Sequence, residues 1–415
     1  VRYGARRGTT AGVHRWVGDF ETKVIRAEAC YLAALQLRSR GFIPDVIVAH
    51  PGWGESLFLK EVWPSAKLIV YAEFYYKGVG ADVGFDPEFS TAGFDQVMIA
   101  QGRTAHLGQA LLHADAGVSP TEWQASTYPA PLRRMISVIH DGVDIDALAP
   151  DPAARFALPD GRVLHAGDEV LTFVNRNLEP YRGYHIFMRA LPAVLKARPN
   201  AQVVIVGGDE VSYGVAPKGE KGWKEHILAE MRDQLDLSRV HFMGKVPYAS
   251  FRALLHVSRV HAYLTYPFVL SWSMIEAMAA GLPLLVSDWD GMKDTVSADV
   301  GFRVPTRMLS PQHLASEALR YQGGMDNYVQ YCASTSALTE VDMGALVARI
   351  VDLAADKVVL IDTKVCADIT ALKAVISIDA LFAQHDAVVA FHLVSLVAKC
   401  CLILLNKLLN YLQNV

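Results

Sequence analysis

Residues 261–288 read HAYLTYPFVLSWSMIEAMAAGLPLLVSD. Two short aliphatic and aromatic runs, 261–266 and 283–288, bracket a segment whose apolar residues recur at helical spacing. Strand, helix, strand in that order predicts an α/β unit with parallel strands. Pro267, Ser271 and Ser273 suit the helix start, and Gly281 suits the position just past its end. Ser271, Met274, Ile275 and Met278 form a face that can pack on a sheet. Glu276 instead shares a face with Trp272, Ser273, Ala279 and Ala280. A lone carboxylate in such a helix costs stability unless something pairs with it. The small neighbours leave room for a ligand, and paired hydroxyls such as those of a ribose are suitable donors to a carboxylate. The plainer reading has Glu276 pairing with a nearby arginine or capping a loop. These residues alone leave both open.

The same alternation runs through most of the chain. Helical patterns at 21–40, around 55–62 and at about 100–114 separate strands at 45–50, 67–74 and 114–120, and a further strand runs into a turn over 136–144. Further strands are expected at 170–174, 201–208, 239–244, 261–266 and 283–288. Between the two sets, LAPDPAARFALPDGR (148–162) is rich in Pro, Ala and Asp and reads as a boundary. The expected organisation is 1–143, 144–352 and a helical tail, 353–415, that lacks the Gly and Pro punctuation of the rest. Two open α/β sheets leave a cleft between them, where ligands bind beyond the carboxyl ends of the strands.

At 415 residues the chain is long enough for two or three cores. A net charge of −4 offers no global field for a polyanion, so nucleic acid is not an expected partner. The five cysteines include no C-x-x-C pair, which suits a reducing compartment and no structural zinc. AVVAFHLVSLVAKCCLILL (387–405) is apolar but interrupted by His392, Ser395 and Lys399, so it reads as a buried or interfacial helix rather than a span.

The strand at 170–174 runs into NRNLEPYRG (175–183), where Arg176 and Arg182 flank a turn closed by Gly183. Guanidinium groups bind phosphate through several hydrogen bonds at once, and two can neutralise a diphosphate. VIVGGDE (204–210) ends a strand in Gly207 and Gly208, which permit close backbone approach. The start of the Glu276 helix, around Ser271, offers unpaired N–H groups and a positive dipole end.

In the order NRNLEPYRG, VIVGGDE, HFMGKV and YPFVLSWSMIEAMAAGLPLLVSD, the chain resembles the donor-binding half of GT-B glycosyltransferases, specifically the retaining family 4 group. The resemblance implies two Rossmann-like doubly wound domains facing a cleft. It places the basic pair that binds the nucleotide diphosphate on Arg176 and Arg182, and the ribose-binding glutamate on Glu276. The family often carries a second glutamate, near the transferred sugar, eight residues earlier; here that position is Phe268. Sugar contacts then fall to the backbone at Leu270, Ser271 and Trp272, beside Ser273.

The first half resembles the acceptor domain less sharply. HPGWGES (50–56) lacks G-K-[ST] and is not a phosphate-binding loop, so His50, Gly52, Trp53 and Gly54 are read as the acceptor side of the cleft. Packing is the competing reading for Trp53. Where many relatives place a histidine beside the reacting sugar, YAEFYY offers Glu73, which can orient a hydroxyl or accept a proton. Nothing before Glu21 resembles the family's opening strand and glycine-rich loop, which implies a first domain lacking its first βα unit. No D-x-D signature stands in a suitable place, since DWD (288–290) follows the wrong strand, and HExxH spacing is absent.

The implied function is sugar transfer from a nucleoside-diphosphate sugar, as co-substrate, to a carbohydrate or glycolipid acceptor, with no metal and no cofactor. The nucleotide donor implies a cytoplasmic location, with peripheral contact at the inner membrane face through the apolar tail. A catalytically impaired nucleotide- or carbohydrate-binding protein and a sugar-nucleotide epimerase remain as alternatives. A dinucleotide dehydrogenase is disfavoured by the absence of G-x-G-x-x-G after a strand.

Overall fold

In the computed structural model, residues 3–305 are described except for 79–80, 84, 87, 90–93 and 297–300, with 94 and 301–305 as backbone only. They fall into two compact units that divide between Gly142 and Val143. The tail at 353–415 and its apolar stretch at 387–405 lie outside the described residues.

The first unit holds strands β1 (Val46–Ala49), β2 (Lys67–Tyr71), β3 (Ala116–Ser119) and β4 (Ile136–Val138), paired in parallel in chain order. Its helices are α1 (Gly18–Ser39), α2 (Leu59–Val62), α3 (Phe94–Leu112), α4 (Glu122–Ser126) and α5 (Ala130–Arg133). Leu68, Val70, Leu111, Ala125 and Ile136 form one core cluster, and Ala34, Val62, Trp63 and Ala66 a second under α1. No strand precedes α1 among the described residues.

The second unit opens with α6 (Ile145–Leu148) and the antiparallel hairpin β5 (Arg155–Ala157) and β6 (Val163–His165). The hairpin corrects the reading of 148–162 as mere boundary: Phe156 and Leu164 bury their side chains from facing strands. Its turn, LPDG, ends in Gly161 at φ +88°, a conformation glycine adopts freely.

The main sheet comprises β7 (Val170–Asn177), β8 (Gln202–Gly208), β9 (Val240–Gly244), β10 (Val260–Tyr263), β11 (Leu284–Asp288) and β12 (Gly301–Pro305). Between and beside them run α7 (Tyr184–Ala197), α8 (Trp223–Met231), α9 (Tyr248–Val257), α10 (Trp272–Ala279) and α11 (Asp290–Lys293). The strands are all parallel, in the order β12-β11-β10-β7-β8-β9. That is the doubly wound Rossmann order, with the direction of winding reversing between β7 and β10. The centre is apolar on both faces, as a parallel sheet covered by helices requires: Phe173, Val203, Val204, Ile205 and Val286 are wholly or almost wholly buried. In α7, Tyr184, Phe187, Met188, Leu191 and Leu195 form the buried stripe. No helix among the described residues is long and apolar enough to cross a membrane.

Candidate functional site

Open α/β sheets bind ligands where the winding reverses, beyond the carboxyl ends of the strands. In the second unit that point lies between β7 and β10, and the loops leaving those strands are stitched together. The Tyr266 N–H donates to the Tyr181 carbonyl at 3.0 Å. Arg182 Nη1 donates to Thr265 Oγ1 at 3.1 Å. Gly183, at φ +72°, sits so close that a Cβ there would lie 2.1 Å from the Leu264 carbonyl oxygen. Only glycine allows this approach, and it fixes the residue beside Arg182 against the end of β10.

Arg182 is 7% exposed. Its guanidinium makes that one hydrogen bond to Thr265 and has no carboxylate within 4 Å among the described residues. Two aromatic rings lie beside it. Its Cζ lies 5.0 Å from the ring centre of Tyr213 and 5.9 Å from that of Phe268. Tyr181 stacks on Tyr213 at 5.1 Å and meets Phe268 edge-on at 5.3 Å. Phe268, where the family often has a glutamate, is therefore a buried member of an aromatic cluster. Arg176, by contrast, is exposed at the end of β7.

Three further polar side chains crowd the end of β7 and the loop behind it. Asn175, Asn177 and Glu179 are buried, and each keeps one polar atom without a partner: Nδ2, Oδ1 and Oε1. Burial pushes the Glu179 carboxyl up, against the pull of two backbone N–H groups and the charges of Arg182 and Arg176. Gly207 and Gly208 end β8 beside this group. A Cβ on Gly207 would meet the Asn175 carbonyl at 2.8 Å, and one on Gly208 the Asn177 Oδ1 at 2.5 Å.

On α10, Met274, Ile275, Ala277 and Ala279 are buried. Ala279 and Ala280 therefore pack, instead of clearing space beside Glu276, because α10 contacts α6 as well as β10 and β11. Glu276 itself is half-buried, and its partner is neither an arginine nor a loop end. The Tyr248 hydroxyl, at the first turn of α9, donates to its Oε1 at 2.8 Å. Burial pushes the Glu276 carboxyl up, and this hydrogen bond opposes the shift. Ser271 precedes the helix in extended conformation, its N–H donating to the Tyr263 hydroxyl at 3.0 Å and its Oγ bonded to Ser273 Oγ at 2.9 Å. Neither serine side chain caps the helix, and the Met274 N–H donates to the Ser271 carbonyl at 3.2 Å. Leu270 is half-buried and Trp272 exposed. In DWD, Trp289 is buried and donates to the Thr265 carbonyl at 3.2 Å, and Asp290 pairs with Lys293 at 3.0 Å.

In the first unit, His50 follows β1 and Glu73 follows β2, and the two meet. The Gly52 N–H donates to His50 Nδ1 at 3.0 Å, so the neutral ring carries its proton on Nε2, which faces Glu73 Oε2 at 3.2 Å. The Tyr71 ring lies 5.6 Å from that of His50, and its hydroxyl donates to Asp141 Oδ1 at 2.8 Å. Gly54, at φ +97°, closes the Pro51–Trp53 turn with a would-be Cβ 2.3 Å from the Lys23 carbonyl. Trp53 is 57% exposed, with Lys23 and Arg26 over its ring at 5.2 and 5.3 Å, so its role is not core packing.

Comparison with known proteins finds a family model for each unit. Residues 1–148 match the model of the Glycosyl transferase family 4 group, and residues 168–322 that of Glycosyl transferases group 1. The chain belongs to the GT-B glycosyltransferases. Among curated relatives of this GT-B chain, the D-inositol 3-phosphate glycosyltransferase of Segniliparus rotundus is 24% identical over 61% of the chain and 55% of that protein. The enzyme of the same name from Mycobacterium bovis is 26% identical over 48% and 37%. The chain thus spans about half, or less, of the length of these relatives. In fold it is similar to sucrose-phosphate synthase from Thermosynechococcus elongatus, with 17% identity, coverage of 80% and 77%, and a TM-score of 0.50. The apo form of OtsA gives 12%, 81% and 78%, and 0.51.

Several residues of this GT-B glycosyltransferase escape a reading of its motifs. Glu179 lies inside the quoted NRNLEPYRG, but its burial depends on a segment following β8. Tyr213, Tyr248 and Asp141 stand outside the quoted motifs, and the fold brings them to Arg182, Glu276 and Tyr71.

Proposed function

We propose that the protein transfers a sugar from a nucleoside-diphosphate sugar to a hydroxyl of a carbohydrate, lipid-linked or small-molecule acceptor, with retention of configuration. One observation carries the reading. Arg182 is a nearly buried cation at the point where the winding reverses, with one hydrogen bond made and no carboxylate within 4 Å among the described residues. Burying a charge without a salt-bridge partner is expensive, and a diphosphate supplies the direct partner that the guanidinium lacks. Exposed Arg176 and the start of α10 add positive potential on the same edge of the sheet. Glu276, with Oε2 not engaged by Tyr248, accepts from ribose hydroxyls.

In this mechanism the diphosphate departs on the face from which the acceptor hydroxyl enters. Charge developing on the leaving oxygen is met by Arg182, Arg176 and the α10 N–H groups, so transfer requires neither a metal ion nor another cofactor. His50 and Glu73 serve the acceptor hydroxyl. Phe268 favours one competing reading, a nucleotide-binding protein with little turnover, because an apolar ring replaces a sugar-contacting carboxylate. Product formation from a labelled donor separates the two.

The test is calorimetric titration of UDP and GDP into the wild type, Glu276→Ala and Arg182→Ala. One nucleotide should bind saturably, and each variant should weaken it about tenfold or more, or about 1.4 kcal/mol. Equal affinity in all three proteins overturns the reading. Turnover undiminished by EDTA is the expectation for a metal-free reaction.

A further inference from the structure

Among the described residues no carboxylate lies within 4 Å of Arg182; besides its hydrogen bond to Thr265 it packs on a ring, and the backbone that carries the ring is held by a buried acid. The Glu179 carboxylate has no exposed surface, and its Oε2 accepts the backbone N–H of Ser212 at 3.1 Å and of Tyr213 at 3.0 Å. Asn177 Nδ2 adds a hydrogen bond to Ser212 Oγ at 2.7 Å. The segment following β8 is thus tied to the loop following β7 through its backbone, just where it presents the Tyr213 ring to Arg182, 5.0 Å from Cζ.

The arrangement has a chemical consequence. A carboxylate salt-bridged to Arg182 would orient it but consume its donors and neutralise its charge. Contact with a ring face orients a guanidinium without using an N–H or cancelling the charge. Burying a carboxylate is costly, and a loop can be fastened by neutral groups at less expense. A buried carboxylate that makes no ion pair with Arg182, and acts on it through the ring, keeps the cation in place and open.

We propose that Glu179 and Tyr213 are positioning residues for the diphosphate: Glu179 pins Tyr213 against Arg182, which then meets the leaving group with its remaining donors free. The proposal rests on the reading of Arg182 as a diphosphate ligand.

A double-mutant cycle on UDP or GDP affinity, whichever nucleotide the full chain binds, tests it. Glu179→Ala should weaken binding about tenfold in the wild type and less than about twofold in an Arg182→Ala background, because the effect runs through Arg182. Equal losses in both backgrounds would mean that Glu179 acts on the structure at large, and would overturn the proposal. Glu179→Gln keeps an accepting oxygen for both N–H groups and should stay within about twofold of wild type; a loss as large as that of Glu179→Ala counts against the clamp. Should Glu179→Ala fail to fold, Tyr213→Leu replaces it in the cycle, with Tyr213→Phe as the variant that retains the ring and the affinity. If Arg182→Ala alone leaves affinity unchanged, or neither nucleotide binds, the diphosphate reading has failed and the clamp with it.

Discussion

The hydroxyl of Tyr248 donates to Glu276 Oε1 at 2.8 Å, joining the first turn of α9 to the one carboxylate of α10. Burial favours the neutral form of Glu276, and the tyrosine favours the charged form. Tyr248→Phe removes only the second effect, so the carboxyl of the variant titrates at higher pH. Nucleotide binding that needs the carboxylate is lost as pH falls through that value. Affinity measured from pH 8 to pH 5 should therefore begin to decline at higher pH in Tyr248→Phe than in the wild type. Superimposable profiles would show that the hydrogen bond does not tune the site.

Gly183 should tolerate no side chain. Its φ of +72° costs any L residue about 1–2 kcal/mol, and a Cβ would collide with the Leu264 carbonyl at 2.1 Å. Gly161, at φ +88° with nothing within 4 Å of its would-be Cβ, isolates the conformational cost. Thermal unfolding should show a small loss in Gly161→Ala and a clearly larger one in Gly183→Ala, together with weakened nucleotide binding. Equal losses would mean that the loop following β10 gives way.

The two sheets were legible because strands such as 201–208 and 283–288 are short apolar runs closed by glycine or a polar turn, a local signal. Arg176, Arg182 and Glu276 stand out in the sequence for a related reason: each lies in a motif a few residues from a strand end or helix start. Their neighbours were not. Glu179 holds Tyr213 across 34 positions, and Tyr248 reaches Glu276 across 28. Nothing in the spacing of either pair marks a contact. The β5–β6 hairpin was obscured differently, since strands of three residues among Pro, Asp and Ala carry almost no alternation.

Acid should weaken the second unit through His261. It is fully buried on β10, with Nδ1 bonded to Thr172 Oγ1 at 3.0 Å and Nε2 without a partner. Burial holds it down from 6.5 to about 4. The unfolded chain therefore takes up this proton first. The stabilisation is complete above about pH 6.5 and is lost as pH falls toward 4, on the order of 3 kcal/mol in all. In His261→Leu the difference in unfolding free energy between pH 7 and pH 4.5 should shrink. It should not vanish, because burial also holds His106, His241 and His256 low. An unchanged difference would remove His261 from the account.

Glu73 should matter to turnover and not to donor binding. Its partner His50 has Nδ1 occupied by the Gly52 N–H, so Nε2–H points at Glu73 Oε2, and both side chains are about 39% exposed. A pair this accessible to water contributes little to stability, so Glu73→Gln should unfold within a few degrees of wild type. Glutamine still accepts the imidazole proton but cannot take one from an acceptor hydroxyl. Positioned acid–base groups contribute about 10²–10⁴-fold to rate. If Glu73 is such a group, kcat in Glu73→Gln falls at least tenfold while the nucleotide dissociation constant, set within the second unit, does not move. If kcat holds and only the acceptor KM rises, Glu73 orients the acceptor without moving its proton. If neither changes, the pair lies outside the reaction.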